Sequence, residues 1–571
     1  MTKSKYENYT HAQLLEEVKR LSKRKKYGLV WEEEKTKEQF EEEGKLPVLV
    51  EDKKRAIKTD ADKPTHILIE GDNYHALSVL NYTHAKSIDL IYIDPPYNTG
   101  NNDFKYNDRF VDKEDSYKHS KWLSFMNNRL KLAKKLLKDN GLIFISIDDV
   151  EIAQLKLLCD EIFLEEKLMG IIHWRKNRKP HNAAGTLSKS AEYILVYAKS
   201  IKRKLVQEYT IKDSNENGDF SESPIIKADK KERIYEFTKG MECQAESIEK
   251  GINTSARNPK LYIEYLDKPI IKSGVLKNTV RIKARYCVTN ERGMLYDEMA
   301  KGNIFINKNG VPKLRTYREE LLGKVANNLW YDKGYNEDAS DEIKELFNVD
   351  LSSEIFDYAK PVKLIKEVAK CFNNKDAIIL DFFAGTGTTG HAVLKLNNED
   401  GGNRQFILCT NNENNICTEV CYPRINKVIN GYTKPKGEKV EGLKENLKYY
   451  KTNFVGSEPT HRNKKLLTTK SVEMLCIKEN TFEEVQNKAP IYIFKSKEKY
   501  TAILLDELKL ADFKKEIKKL KLPVSVYVFS LEGDDFSEEF EGFKNNITFC
   551  SIPEAILKVY RRIYETAKPK K

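Results

Sequence analysis

The tetrapeptide Asp94-Pro95-Pro96-Tyr97 closes the run Ile88-Asp89-Leu90-Ile91-Tyr92-Ile93, so a carboxylate, a rigid turn and an aromatic ring stand where a buried strand should finish. That trio suits transfer of a methyl group to the exocyclic amine of a nucleobase. The amine's lone pair is delocalised into the ring and must be drawn back before it can attack an electrophile. Asp94 would accept one hydrogen bond from the amine, the Pro95 carbonyl a second, and Tyr97 would stack on a base turned out of its helix. Pro95 and Pro96 fix φ and hold that carbonyl still. Taken alone, a strand ending in Asp-Pro is an ordinary exit into a solvated turn, so the weight falls on a second site.

Ala377-Ile378-Ile379-Leu380-Asp381 reads as another buried strand. It is followed by Phe382-Phe383-Ala384-Gly385-Thr386-Gly387-Thr388-Thr389-Gly390 and then by the apolar helix start His391-Ala392-Val393-Leu394. Glycines between a strand and a helix let backbone approach a ligand, and the helix N-terminus offers unpaired N–H groups. The glycine spacing also fits a dinucleotide fingerprint, which makes a nicotinamide or flavin enzyme the competing reading. The fingerprint puts an acid at the end of the next strand, here Gln405-Phe406-Ile407-Leu408-Cys409, which runs into Thr410-Asn411-Asn412-Glu413. Glu413 would hold a ribose in either cofactor, with Thr410 and Asn411 as alternatives by register. Asp381 tips the choice: a strand-end carboxylate suits the amino group of a bound amino acid, which S-adenosylmethionine carries and NAD lacks. Phe383 is read as a wall of that cofactor site, or as a core residue beneath the loop.

With both sites in view the chain resembles the β-class of DNA amino-methyltransferases, and within it the modification subunit of type III restriction-modification systems. The resemblance covers residues from about 45 to 455. It is carried by Ile69-Glu70-Gly71-Asp72-Asn73-Tyr74-His75-Ala76-Leu77, by Asp94 to Gly100, and by Lys121-Trp122-Leu123 through Arg129-Leu130. Gly141 to Asp149, Ala191-Glu192-Tyr193-Ile194-Leu195-Val196-Tyr197 and Phe356-Asp357-Tyr358-Ala359-Lys360-Pro361 complete it. The resemblance implies S-adenosylmethionine as cofactor, with Asp72, Lys360, Asp381, Phe383, Gly385, Gly387, Thr388 and Glu413 around it. It also implies catalysis by Asp94, Pro95, Pro96 and Tyr97, a double-stranded DNA substrate, a homodimer, and a partner restriction subunit with helicase and nuclease activity.

The chain has 571 residues, 40% of them hydrophobic and 33% charged, enough for three or four domains with real cores. No apolar run is long enough to span a bilayer, and the opening Met1-Thr2-Lys3-Ser4-Lys5-Tyr6 lacks a signal peptide's apolar stretch, so a cytoplasmic protein is expected. Nine scattered cysteines fit reduced thiols; Cys409, Cys417 and Cys421 cluster without a CxxC pair, so no structural metal is expected. A net charge of +12 fits a polyanionic partner. The basic stretch between Trp174 and Leu205 contains Arg175, Lys176, Arg178, Lys179, Lys189, Lys199, Lys202, Arg203 and Lys204 against the single acid Glu192. It is expected to face phosphate, with Arg175, Lys176, Arg178 and Lys179 as the leading contacts.

The expected architecture is α/β: a doubly wound mixed sheet of the S-adenosylmethionine-dependent methyltransferase fold, with an inserted target recognition domain and a C-terminal α/β module. Residues 1–45 read as a helical arm, with Leu14, Leu15, Val18 and Leu21 at helical spacing and acidic runs at 32–34 and 41–43. The catalytic half runs over 46–200, the recognition domain over 201–345, the cofactor half over 346–455 and the dimerisation or docking module over 456–571. In the recognition domain Arg257, Asn258, Arg281, Arg285, Asn290 and Arg292 are candidate base readers or phosphate contacts.

The mechanism so read is direct transfer to N6 of adenine, since relatives with Asp first in the tetrapeptide mostly act on that base. Cytosine C5 chemistry needs a nucleophilic cysteine beside a proline, and no Pro-Cys pair occurs. Cytosine N4 is the chemical alternative. A DNA-recognition subunit guiding a partner nuclease is the alternative from another class.

Overall fold

Ile88–Ile93 is buried at every position, the pattern of a strand covered on both faces by helices. The structure, a computed structural model, describes residues 10–11, 13–16, 31, 36, 44–60, 62–100, 105–106, 109–111, 114–179, 188–200, 205, 220–224, 232–253, 262–285, 292–317, 326–356, 359–530, 536–543 and 546–567. Two compact units emerge, one of residues 1–204 with 327–571 and one of residues 205–326.

The larger unit is built on a ten-stranded sheet. Its strands are β1 (Lys45–Glu51), β2 (Thr65–Glu70), β3 (Ile88–Ile93), β4 (Leu137–Ile147), β5 (Leu168–Arg175), β6 (Ala191–Ala198), β7 (Leu329–Trp330), β8 (Ile378–Asp381), β9 (Gln405–Thr410) and β10 (Asn446–Gly456). Their spatial order is β1-β10-β2-β9-β8-β3-β4-β6-β5-β7. From β10 to β4 every neighbouring pair is parallel. The sheet is mixed because β6 runs antiparallel to β4 and to β5, and β1 runs antiparallel to β10.

Helices follow the strands as crossovers: α1 (Asn73–Thr83) after β2, α2 (Lys118–Leu136) after β3, α3 (Ile152–Phe163) after β4 and, before β8, α4 (Asn336–Phe347) and α5 (Val362–Phe372). Two more, α6 (Thr388–Asp400) and α7 (Tyr422–Asn430), follow β8 and β9. In α5 the buried residues Val362, Leu364, Ile365, Val368, Ala369 and Phe372 recur at helical spacing, which turns one stripe onto the sheet. Asn373, at φ 49°, ends that helix in the left-handed conformation that Asn tolerates. The core joins Ile91, Ile93, Ile143, Ile145, Leu380 and Ile407 of the sheet to Leu77, Leu80, Trp122, Met126 and Leu130 of α1 and α2.

One pairing sets the geometry of the site. β8 comes almost three hundred residues after β3 in the chain, yet it lies beside it, with Ile379 opposite Leu90 and Leu380 opposite Ile91. Both strands therefore end at the same rim. Asp94 stands two residues beyond the level of Asp381, roughly 7 Å farther along the strand direction.

Residues 205–326 form an unrelated β-rich unit. It has an antiparallel sheet of Glu232–Phe237, Val280–Arg285, Tyr262–Tyr265 and Gly251–Asn253, a second of Ile304–Ile306, Pro312–Tyr317 and Phe220–Pro224, and the helix Arg292–Ala300. Tyr235, Phe237, Ile263, Tyr265, Ile282 and Leu295 are in its core. Residues 327–345, expected within this insertion, belong to the larger unit. In the structure Leu329–Trp330 already pairs with β5, and Trp330 is buried with its Nε1 donating to the Asn327 carbonyl at 2.8 Å. A two-residue strand has no periodicity to announce it.

Residues beyond 456 carry a five-stranded sheet of Glu483–Lys488, Ile491–Lys495, Tyr500–Leu504, Val524–Phe529 and Ile547–Ile552. It has its own core around Ile493, Phe513, Ile517 and Val526, yet Leu475, Ile503, Tyr527, Ile556 and Tyr560 join the core of the ten-stranded sheet. The expected module is thus packed into the larger unit. Of the expected N-terminal arm, residues 13–16 are helical, with Leu14 and Leu15 exposed. Val18, Leu21 and the two acidic runs lie outside the described residues, as do Lys202, Arg203, Lys204, Arg257, Asn258 and Asn290. Among the described residues no helix is long and apolar enough to cross a membrane, and no His, Cys, Asp and Glu cluster could hold a metal.

Candidate active site

The loop after β3 is fixed from below by three buried groups. Trp122 of α2 donates its indole N–H to the Pro96 carbonyl at 2.7 Å, a bond that contributes about 1 kcal/mol and sets the height of the turn. Asn98 adopts φ 59° and is fully buried, a conformation open mainly to Gly, Asn and Asp. Its amide donates to Glu151 Oε1 at 2.6 Å and to the Lys118 carbonyl at 3.2 Å, and His119 Nδ1 shares the same Glu151 oxygen at 2.6 Å.

On this base sits a compact set of charges. Asp94 Oδ1 accepts from the Tyr97 hydroxyl at 2.8 Å and Asp94 Oδ2 from Lys360 Nζ at 2.9 Å. Glu192 of β6 faces them, its Oε2 lying 3.2 Å from the Tyr97 hydroxyl and 3.5 Å from Lys360 Nζ, while its Oε1 takes Lys176 Nζ at 3.0 Å. The Lys360 and Glu192 side chains are 10% and 8% exposed, and that of Asp94 is 23% exposed, which leaves the aspartate the most accessible of the three. Burial pushes the Asp94 carboxyl up, Glu192 adds to the push, and Lys360 and Tyr97 only partly restore it. For Glu192 burial also works upward, but Lys360 and Lys176 outweigh it and hold the carboxyl below its ordinary range. Burial lowers Lys360, and the two carboxylates more than reverse it, so the ammonium is retained.

The loop after β8 is built differently. Asp381 is buried, and among the described residues no cation pairs with it. Its Oδ1 accepts from the Phe383 N–H at 3.0 Å and its Oδ2 from the Thr389 hydroxyl at 2.5 Å. Burial outweighs both bonds and pushes its carboxyl up to about 7. Gly385 and Gly387 have φ of +50° and +79°, and a Cβ on Gly387 would stand 3.0 Å from Cys421 Sγ. Only glycine meets both demands there without strain. Gly387 leads directly into α6, whose first residue is Thr388. Beneath the loop the fully buried Arg424 of α7 donates to Thr386 Oγ1 at 3.2 Å, Thr388 Oγ1 at 3.0 Å and Glu342 Oε2 at 3.2 Å.

A second buried arginine ties the two halves together. Arg129 of α2 pairs with Asp72 at 3.2 Å and donates to Asn73, whose amide donates to the Phe382 carbonyl at 2.7 Å. Its guanidinium lies 3.6 Å over the Phe125 ring, and that ring is 5.9 Å from Phe383. Asp72 also caps α1 by accepting from the Tyr74 N–H at 2.7 Å. Glu413 is exposed, in the short turn after β9, whereas Thr410 is buried at the strand end. A buried carboxylate without a cation, glycines at positive φ and a helix N-terminus form a set of groups that fits the amino-acid end of S-adenosylmethionine.

Lys360, expected beside the cofactor, donates to Asp94. Lys176, expected on phosphate, is committed to Glu192. Arg178 pairs with Asp338, and Arg175 and Arg178 flank the Tyr335 ring at 5.9 and 5.4 Å. Lys179 is exposed. Glu192, Arg129 and Arg424 join the site without being expected there from the sequence. A cavity of about 130 Å³ lined by Thr65, His84, Ile378 and Gln405 opens at the amino ends of the strands, the edge opposite these loops.

The DNA methylase family model matches residues 88–420. The chain is similar to the Mod subunit of the type III restriction-modification enzyme StyLTI of Salmonella typhimurium, 32% identical over 422 residues, which cover 68% of this chain and 59% of that one. It therefore spans about three fifths of that relative's length. To the type II methyltransferase M.KpnI of Klebsiella pneumoniae it is 32% identical over 406 residues, 69% of this chain and 92% of that one. A solved structure, PvuII DNA methyltransferase (cytosine-N4-specific), matches with TM-score 0.32 at 11% identity, over 67% of this chain and 98% of that one. The extent of the family match, together with near-complete coverage of M.KpnI, makes this chain a member of the DNA methylase family of N6 and N4 amino-methyltransferases.

Proposed function

We propose that the chain is a site-specific DNA methyltransferase that moves the methyl group of S-adenosylmethionine to N6 of an adenine turned out of duplex DNA. The observation that carries this reading is the adjacency of β3 and β8, with Asp94 and Asp381 at the same rim. Asp381 binds the amino group of the cofactor, the N-terminus of α6 at Thr388 faces its carboxylate end, and Phe383 and Asp72 line the rest. Bound there, S-adenosylmethionine supplies an electrophilic sulfonium methyl group.

Asp94 accepts one N6–H and the Pro95 carbonyl the other. Both pull electron density onto nitrogen and turn its lone pair toward the methyl carbon. Asp94 would stabilise the positive charge that the nitrogen gains as the sulfonium's S–CH3 bond is exchanged for N–CH3, with a neutral thioether left behind, until the extra proton passes to solvent. Trp122 keeps the turn in register through the Pro96 carbonyl. Tyr97 offers its ring to the base.

We assign the chain to the modification side of a type III system, acting in the cytoplasm. Residues 205–326 then read the target sequence, with Arg281, Arg285 and Arg292 among the candidates, a second copy of the chain completes a dimer, and a restriction subunit with helicase and nuclease activity is the partner. Similarity to the StyLTI Mod subunit supports this reading. The test is incubation of unmodified genomic DNA with the protein and labelled S-adenosylmethionine, followed by mapping of the modified base. N6-methyladenine in one sequence context is the expected product. N4-methylcytosine would move the substrate to the other amine, and unlabelled DNA would contradict the proposal.

A further inference from the structure

We propose that Glu192 is a positioning residue that takes Lys360 and Tyr97 off Asp94 when the target amine arrives. The proposal rests on the methyl-transfer reading above and adds a residue which that reading does not use. The difficulty it resolves is visible in the site. Asp94 must accept a hydrogen bond from the base, yet its Oδ1 already holds the Tyr97 hydroxyl at 2.8 Å and its Oδ2 holds Lys360 at 2.9 Å. A carboxylate paired with an ammonium is a weaker acceptor for a neutral amine and a poorer stabiliser of new positive charge.

Both occupants already reach a second carboxylate. The Tyr97 hydroxyl is 3.2 Å and Lys360 Nζ 3.5 Å from Glu192 Oε2, and closing the latter to the ~2.8 Å of a charge-assisted bond takes less than about 1 Å. Glu192 is itself anchored. Its other oxygen accepts from Lys176 at 3.0 Å, and its backbone pairs with Trp174 in the sheet. The charges of Asp94, Glu192, Lys360 and Lys176 sum to zero, so the shift leaves the net charge of the buried site unchanged. Glu192 also stays ionised, since its lysines outweigh its burial.

The test is single-turnover methyl transfer against pH by the full chain on duplex DNA, comparing wild type with Glu192→Gln. The groups that face Asp94 are Lys360, Tyr97 and Glu192, with Tyr92 and Asp381 at longer range. Those that face Glu192 are Lys176, Lys360, Tyr97 and Asp94, with Asp148 and Tyr92 beyond. Losing the acid leaves Lys360 wholly on Asp94. The rate should fall about tenfold or more, and the acid limb of the profile should move to lower pH, with DNA and cofactor affinities kept. In a Lys360→Met background the same change should cost less than in the wild type, because only the Tyr97 hydroxyl remains to be taken.

An unmoved limb together with an unchanged rate overturns the proposal. So does a rate loss that tracks lost stability with the limb in place, or a full additive loss in the double variant. If Glu192→Gln does not fold, Glu192→Asp should give a smaller loss and a smaller shift in the same direction, and wild-type behaviour there also overturns it. A wild-type enzyme that methylates no base instead sinks the underlying reading, which separates the two failures.

Discussion

Asp94 and Asp381 end neighbouring parallel strands and are both largely buried, yet their surroundings differ in one respect. Asp94 has a lysine on it, and Asp381, among the described residues, has a hydroxyl and a backbone N–H in place of a cation. A buried carboxylate is costly until a cation or several donors compensate it. The first site carries its own cation, which can be drawn away toward Glu192. The second is left uncompensated, with its carboxyl pushed up to about 7, and so favours a ligand that brings a positive amino group. On the proposed reading, the same residue type in nearly the same place serves as a chemical acceptor in one loop and a ligand anchor in the other.

The sharpest way to break this comparison is Asp94→Ala. Methyl transfer should fall on the order of a thousandfold, measured by incorporation of label into DNA, with cofactor and DNA affinities kept. Loss of cofactor binding instead would erase the distinction between the two aspartates. Asp381→Asn should do the reverse, raising the cofactor Kd roughly 10- to 100-fold by calorimetry while transfer at saturation is largely preserved.

The comparison also has a pH signature. The folded Asp381 carboxyl titrates at about 7 against an ordinary 3.8, so between those values the native state holds a proton that the unfolded state has lost. Stability of the ligand-free protein from this group therefore falls as pH rises through that window and levels off above it. Cofactor binding runs the other way. Affinity should weaken about tenfold for each pH unit below the folded value, and Asp381→Asn should flatten that dependence.

Much of this was legible in the sequence because both loops announce themselves locally. Each has an apolar strand ending in Asp, then prolines in one case and glycines in the other. The demand that both serve one reaction also predicts that β8 lies beside β3. What stayed hidden were polar residues whose partners are remote. Glu192 lies inside an apolar strand and meets Lys360, and Arg129 and Arg424 lie inside helices and meet Asp72 and Glu342. No spacing within a strand or helix signals such pairs. Lys176 was misleading for a related reason: a run of basic residues reads as one surface, yet just past the end of β5 Lys176 turns onto Glu192 and Arg178 onto Asp338.

Smaller effects sharpen the picture further. Gly387→Ala forces a left-handed residue with its Cβ 3.0 Å from Cys421 Sγ, so thermal unfolding should show a loss of about 1–2 kcal/mol along with weaker cofactor binding. Lys179→Ala should lower DNA affinity slightly and reduce the slope of log affinity against log salt by about one, if that exposed lysine meets phosphate. An unchanged slope would confine Lys179 to a solvated face.

The most direct measurement is a structure of the protein with a non-reactive S-adenosylmethionine analogue and duplex DNA containing the modified site. The account predicts the analogue's amino group within about 3 Å of Asp381 and the flipped adenine N6 within about 3 Å of Asp94, with Lys360 moved onto Glu192. An analogue bound away from Asp381, or a target base that does not reach Asp94, would contradict it.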